Sequence, residues 1–139
     1  MYRDILLPLS LVPEHDRVFA VALRLAEPGR ARIRLLHVIE TIPGIEGDDL
    51  AAFYDSLRER AEQALAGWSS ALRAQGLDVE AEIRFGKRGP TIVATAVEHR
   101  CDLVVLTSHA ADPGLPDWGF GSTSHGVALT APCSVLLVR

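Results

Sequence analysis

The chain has 139 residues, 48% of them hydrophobic and 23% charged, with a formal net charge of -4. That length suits one sizeable core rather than two, and the composition is that of a globular chain. An acidic balance argues against nonspecific nucleic-acid binding, which needs a basic surface to displace counterions, and no apolar run reaches the roughly 18 residues that span a bilayer.

Short apolar runs alternate with helical patterns along the whole chain, which predicts repeated strand-crossover-strand units around a mostly parallel sheet. The first strand is expected at Ile5-Leu6-Leu7-Pro8-Leu9, and the acidic residue and proline in this opening stretch do not make a signal peptide. A helix over about Glu14 to Ala26 carries Val18, Val21, Ala22 and Leu25 at helical spacing and stops at Pro28-Gly29. The second strand is Ile33 to Ile39, followed by a loop over Thr41 to Gly47 that contains Pro43 and two glycines. From about Asp48 to Ala74 an apolar stripe of Leu50, Phe53, Leu57, Ala61, Ala64, Leu65, Trp68 and Leu72 predicts a long amphipathic helix ended by Gly76.

The third strand, Val79 to Phe85, alternates Val79, Ala81, Ile83 and Phe85 with Glu80, Glu82 and Arg84, which places it at an exposed edge. A helix beginning at Pro90 carries Ile92, Val93, Ala96 and Val97. Leu103 to Thr107 is apolar almost throughout, as suits a central strand covered on both faces. A last helix over Ser122 to Thr130 precedes a fifth strand, Ser134 to Val138. Cys101 and Cys133 lack metal or redox spacing and read as small hydrophobes beside buried strands in a reducing, cytoplasmic setting.

Open parallel sheets bind ligands beyond the carboxyl ends of their strands, where the winding reverses. That rule selects Ser10 after the first strand, Val38 to Thr41 after the second, and Thr107 to Ala110 after the fourth, joined by Gly121 to Ser124. Gly121-Ser122-Thr123-Ser124 opens a helix, whose free N–H groups suit a phosphate or another small anion, although an ordinary N-cap has the same composition. The candidate ligand-contacting residues are therefore Pro8, Ser10, Val38, Thr107, Ser108, Ala110, Gly121, Ser122 and Thr123.

Ser108, His109, Asp112, Ser122 and His125 gather near the same place in the sequence without forming a recognisable catalytic pattern, and no catalytic or metal-ligating residue is assigned. His37 reads as a packed strand histidine, while His15 and His99 on helix flanks carry no functional reading. Gly86-Lys87-Arg88-Gly89-Pro90 is a basic turn that reads as a solvated loop or an anion contact. Pro113, Pro116 and Trp118 predict a shaped lid over the loop from His109 to Phe120.

With these pieces in order, the chain resembles the universal stress protein family along nearly its full length. The resemblance rests on Ile5-Leu6-Leu7-Pro8-Leu9, Leu36-His37-Val38, Cys101-Asp102-Leu103-Val104-Val105-Leu106, and Gly121-Ser122 followed by Ala131-Pro132-Cys133-Ser134-Val135-Leu136-Leu137-Val138. It implies one domain over residues 1–139, a three-layer α/β/α fold with four helices around a five-stranded doubly wound sheet in the order 3-2-1-4-5, a dimer through the last strand and, in one branch, an ATP site.

ATP-binding members carry Gly-x2-Gly-x9-Gly-Ser or Thr, and this chain departs from it. One register puts Thr107 and Ala110 at the first two glycines, with ten residues before Gly121, and the strict count puts Ser108 and Ala111 there. The acidic residue that ends the first strand in ATP binders is Ser10 here. A non-glycine in a left-handed conformation costs about 1 to 2 kcal/mol, and each lost hydrogen bond to a charged group roughly 1.5 to 3 kcal/mol. Two such losses weaken binding on the order of a hundredfold.

The expectation is a regulatory or binding domain in stress response, with a degenerate nucleotide site, no required cofactor and no turnover of its own, holding at most a weak adenine nucleotide or a small anion. The alternative is an ATP binder that hydrolyses slowly through a rearranged phosphate loop. Unpaired backbone groups along Ser134 to Val138, with no proline or charge among them, predict a homodimer through that edge, while a further protein partner has no signature and neither nucleic acid nor membrane is expected as one.

Overall fold

A computed structural model of the chain describes residues 1–12, 15–41, 48–107 and 123–139, with the side chains of Asp48 and Asp49 outside that description. Five strands alternate with four helices: β1 (Asp4–Pro8), α1 (Asp16–Leu25), β2 (Arg32–Ile39), α2 (Asp48–Arg73), β3 (Asp78–Phe85), α3 (Arg88–Glu98), β4 (Leu103–Thr107), α4 (Thr123–Thr130) and β5 (Ser134–Val138). All pairings are parallel and the spatial order is β3-β2-β1-β4-β5, as expected.

The central strands are apolar because both of their faces are covered. Ile5 and Leu7 of β1 join a core with Val18 and Ala22 of α1 and Leu65 and Leu72 of α2, whereas Leu6 joins Ile92 and Ala96 of α3 and Val127 of α4 on the other face. The period of two along a strand thus feeds two helical layers from one sheet. β1 begins one residue earlier than its apolar run because Asp4 pairs with Arg32, and it stops at Pro8, after which the Leu9 N–H still donates to the Leu36 carbonyl at 2.8 Å.

Two helix stripes and one strand differ from the periodicity. Phe53 is exposed near the start of α2 and lies beside Tyr54, so the buried stripe of that helix runs through Ala61, Leu65, Ser69 and Leu72. On α3, Val97 is exposed and Thr95 is buried in its stead, its hydroxyl satisfied by the Thr91 carbonyl at 2.7 Å. β3 lies at an edge, yet Glu80 and Arg84 do not simply face water: Arg34 of β2 reaches Glu80 and Arg84 reaches Glu98 of α3, each at 2.6 Å. Gly76 closes α2 at φ 85°, a conformation in which a Cβ costs about 1 kcal/mol.

Candidate functional site

The sheet reverses its winding between β1 and β4, and a cleft of about 770 Å³ opens at that end. Its floor is apolar, built from Leu9, Leu36, Val38, Ile92 and Leu106, all nearly inaccessible to solvent. Such a floor accepts a flat ring, and the volume falls within the range of small-molecule sites. Around it stand the first turns of three helices, represented by Asp16 and Arg17 of α1, Arg88 of α3, and Thr123 and Ser124 of α4.

Of the residues expected from the sequence, Pro8, Ser10, Val38, Thr107 and Thr123 line this cleft together. Ser108, Ala110, Gly121 and Ser122 lie outside the described residues, as do the loop from His109 to Phe120 and the greater part of the loop after β2. Thr107 ends β4 with its Oγ1 buried and without a hydrogen-bond partner among the described residues. A buried hydroxyl left in that state is costly, and a bound polar group would satisfy it.

His15 was not legible as part of this site. It occupies the N-cap of α1, is 2% exposed and lines the cleft. Its Nε2–H donates to the Ser10 carbonyl at 2.9 Å, an assignment that follows because a carbonyl only accepts. The ring packs edge-on against Trp68 with centroids 5.0 Å apart, so a residue from the last third of α2 holds the start of α1. Nothing in the run Pro13-Glu14-His15-Asp16 announces that distant contact.

His37, in contrast, behaves as the strand pattern indicates. Its Nδ1–H donates to the Leu9 carbonyl at 2.7 Å, which ties β2 to the chain leaving β1 and leaves the ring no part in the cleft lining. The basic turn before α3 is a contact to the cleft through Arg88, while Lys87 serves as the N-cap. That turn needs Gly86, which sits at φ 151° and whose added Cβ would come within 2.9 Å of the Thr91 hydroxyl.

The cysteines lie away from the cleft lining, and burial raises both thiols, Cys101 to about 11. Among the described residues no group of three or more His, Cys, Asp or Glu is placed to hold a metal ion, and no helix is long and apolar enough to cross a membrane.

The sheet order and the chain's length recur in known proteins. A universal stress protein of Thermus aquaticus is 32% identical over 143 residues, which covers 100% of both chains. The universal stress protein UspA of Lactobacillus plantarum, 24% identical over 99% of this chain and 98% of its own, superposes with a TM-score of 0.78. A universal stress protein family member of Arabidopsis thaliana, solved with AMP bound, is 20% identical over 98% of this chain and 90% of its own, with a TM-score of 0.67. The pattern of the universal stress protein family itself matches residues 1–139. With that match end to end and a full-length relative at 32% identity, the chain belongs to the universal stress protein family.

Proposed function

We propose that this chain is a binding domain of the universal stress type that takes an adenine nucleotide in the cleft at the β1–β4 reversal. The observation that carries this reading is the cleft itself, where an apolar floor of Leu36, Val38, Ile92 and Leu106 meets the buried Thr107 hydroxyl, which has no hydrogen-bond partner among the described residues, at a strand end. The AMP held by the Arabidopsis relative supports the choice of ligand class. Pro8, Ser10, Val38, Thr107 and Thr123 are assigned to the ligand, with Ser108, Ala110, Gly121 and Ser122 completing the set on the resemblance of their segment.

Binding is weak, because non-glycine residues stand where close approach of phosphate to backbone requires glycine, and Ser10 replaces a carboxylate. The domain comprises residues 1–139, acts in the cytoplasm in stress response, turns over no substrate and works as a homodimer through Ser134 to Val138. β5 is an edge strand with Leu137 exposed, which supports self-pairing.

Isothermal titration calorimetry with AMP and with ATP, with and without Mg2+, tests the reading. The expected result is saturable binding at micromolar or weaker affinity. Submicromolar affinity for ATP would overturn the weak-binding half, absence of binding by any adenine nucleotide would overturn the ligand, and phosphate release abolished by Ser122→Ala would overturn the absence of turnover.

A further inference from the structure

Of the thirteen arginines, six pair with a carboxylate, three line the cleft, and Arg24, Arg60, Arg73 and Arg100 lie elsewhere without an ion pair among the described residues. Arg3, Arg30, Arg32, Arg34, Arg58 and Arg84 each have a carboxylate partner. Arg17, Arg88 and Arg139 line the cleft, are exposed, and have no carboxylate partner among the described residues. The carboxylate that lines the cleft with them is Asp16, while Glu40 receives the backbone N–H of Arg88 at 3.3 Å. A chain with a net charge of -4 thus leaves unneutralised guanidinium groups around one concave site. Arg17 stands on α1 and Arg88 on α3, so they approach the cleft from opposite faces of the sheet.

An unpaired guanidinium offers a planar fork of N–H donors that matches phosphate oxygens, and its attraction grows with the charge of the guest. We propose that Arg17 and Arg88 are specificity-determining residues that read the number of phosphoryl groups, so that the site prefers nucleoside triphosphate to monophosphate. This rests on the nucleotide reading above and adds to it a division of labour. The apolar floor takes the base, and side chains rather than glycine backbone take the terminal phosphates. Arg139, on the segment leaving β5, adds positive charge at the same mouth.

The test is a calorimetric series of adenosine, AMP, ADP, ATP and inorganic tripolyphosphate without Mg2+, at low and at high NaCl, on the wild type and on Arg17→Gln, Arg88→Gln and the double variant. ATP is expected to bind about tenfold more tightly than AMP at low salt, with the ratio shrinking as salt screens the charges. In the double variant ATP and AMP should bind within about twofold of each other, with adenosine affinity unchanged. Both substitutions are at exposed positions, and an unchanged thermal midpoint confirms folding.

A wild-type ratio near one, or a ratio that survives in the double variant, overturns the proposal while leaving nucleotide binding intact. If none of adenosine, AMP, ADP and ATP binds the wild type, the nucleotide reading falls. Tripolyphosphate then decides alone: binding lost in the double variant sustains the arginine site, and no binding to the wild type overturns it.

Discussion

The imidazole of His15 and the carbonyl of Ser10 lie 2.9 Å apart, and this bond fastens the first turn of α1 to the chain leaving β1. The same ring is wedged against Trp68, so one side chain links the cleft wall to the long helix α2. His15→Ala removes a buried ring and a hydrogen bond. It is expected to destabilise the fold by about 2 to 4 kcal/mol, read as a lower urea midpoint at unchanged slope. Nucleotide affinity should fall as well, since Ser10 and Arg17 lose their common anchor.

The backbone N–H groups of Arg3 and Asp4 donate to Asp102, one to each carboxylate oxygen, at 2.9 Å each. The Asp102 N–H in turn donates to the Asp4 carbonyl at 3.0 Å, so the residue latches the beginning of β4 to the beginning of β1. Asp102→Ala leaves two donors without their charged acceptor and should cost about 2 kcal/mol, partly offset by water at this half-exposed site. Asp102→Asn should recover part of the loss, and a thermal melt of the three proteins checks the order.

Burial raises the Cys101 thiol from an ordinary 9.0 to about 11. Between those values the unfolded chain gives up the proton while the folded chain keeps it, so stability is fully present below pH 9 and is lost as pH rises toward 11. The loss is on the order of 2 to 3 kcal/mol. It should appear as a difference in alkaline slope between the wild type and Cys101→Ala in urea titrations across that window. Alkylation of Cys101 at neutral pH should be correspondingly slow, and modification as fast as a free thiol would contradict the burial.

At the far edge of the sheet, Leu137 is 43% exposed on β5, whose outer backbone has no partner strand among the described residues. Leu137→Lys places a charge on that edge and is expected to convert a dimer to a monomer mass by sedimentation at micromolar protein, without loss of helix signal. A wild-type protein that already sediments as a monomer at every concentration would refute self-pairing here.

Much of the fold was legible because its signals are local. Leu103 to Thr107 and Ser134 to Val138 are compact apolar runs, the second entered through Ala131-Pro132, and the strands found there have the same bounds. Asp4, Arg32 and Asp78 each begin a strand one residue before its apolar pattern, since ladder pairing depends on the neighbouring strand rather than on hydrophobicity. Phe53 and Val97 satisfy helical periodicity yet lie exposed, because a period describes a face and not how far the opposing layer extends.

The candidate site divides in the same way. Ser10, Val38 and Thr107 follow from the rule for strand ends, whereas His15 depends on Trp68, which lies 53 positions away in sequence. Arg17 and Arg139 carry no motif at all. Arg88 stood in a basic turn whose direction is set by α3, a property that no short run of residues encodes.

Leu36, Val38, Ile92 and Leu106 belong both to the cleft floor and to the core beneath α3 and α4. Foldedness and the seat of the guest are therefore written in the same atoms, and neither can be altered alone. Preference among guests is free to drift only along the polar rim, where exchanging one side chain leaves the packing beneath it undisturbed.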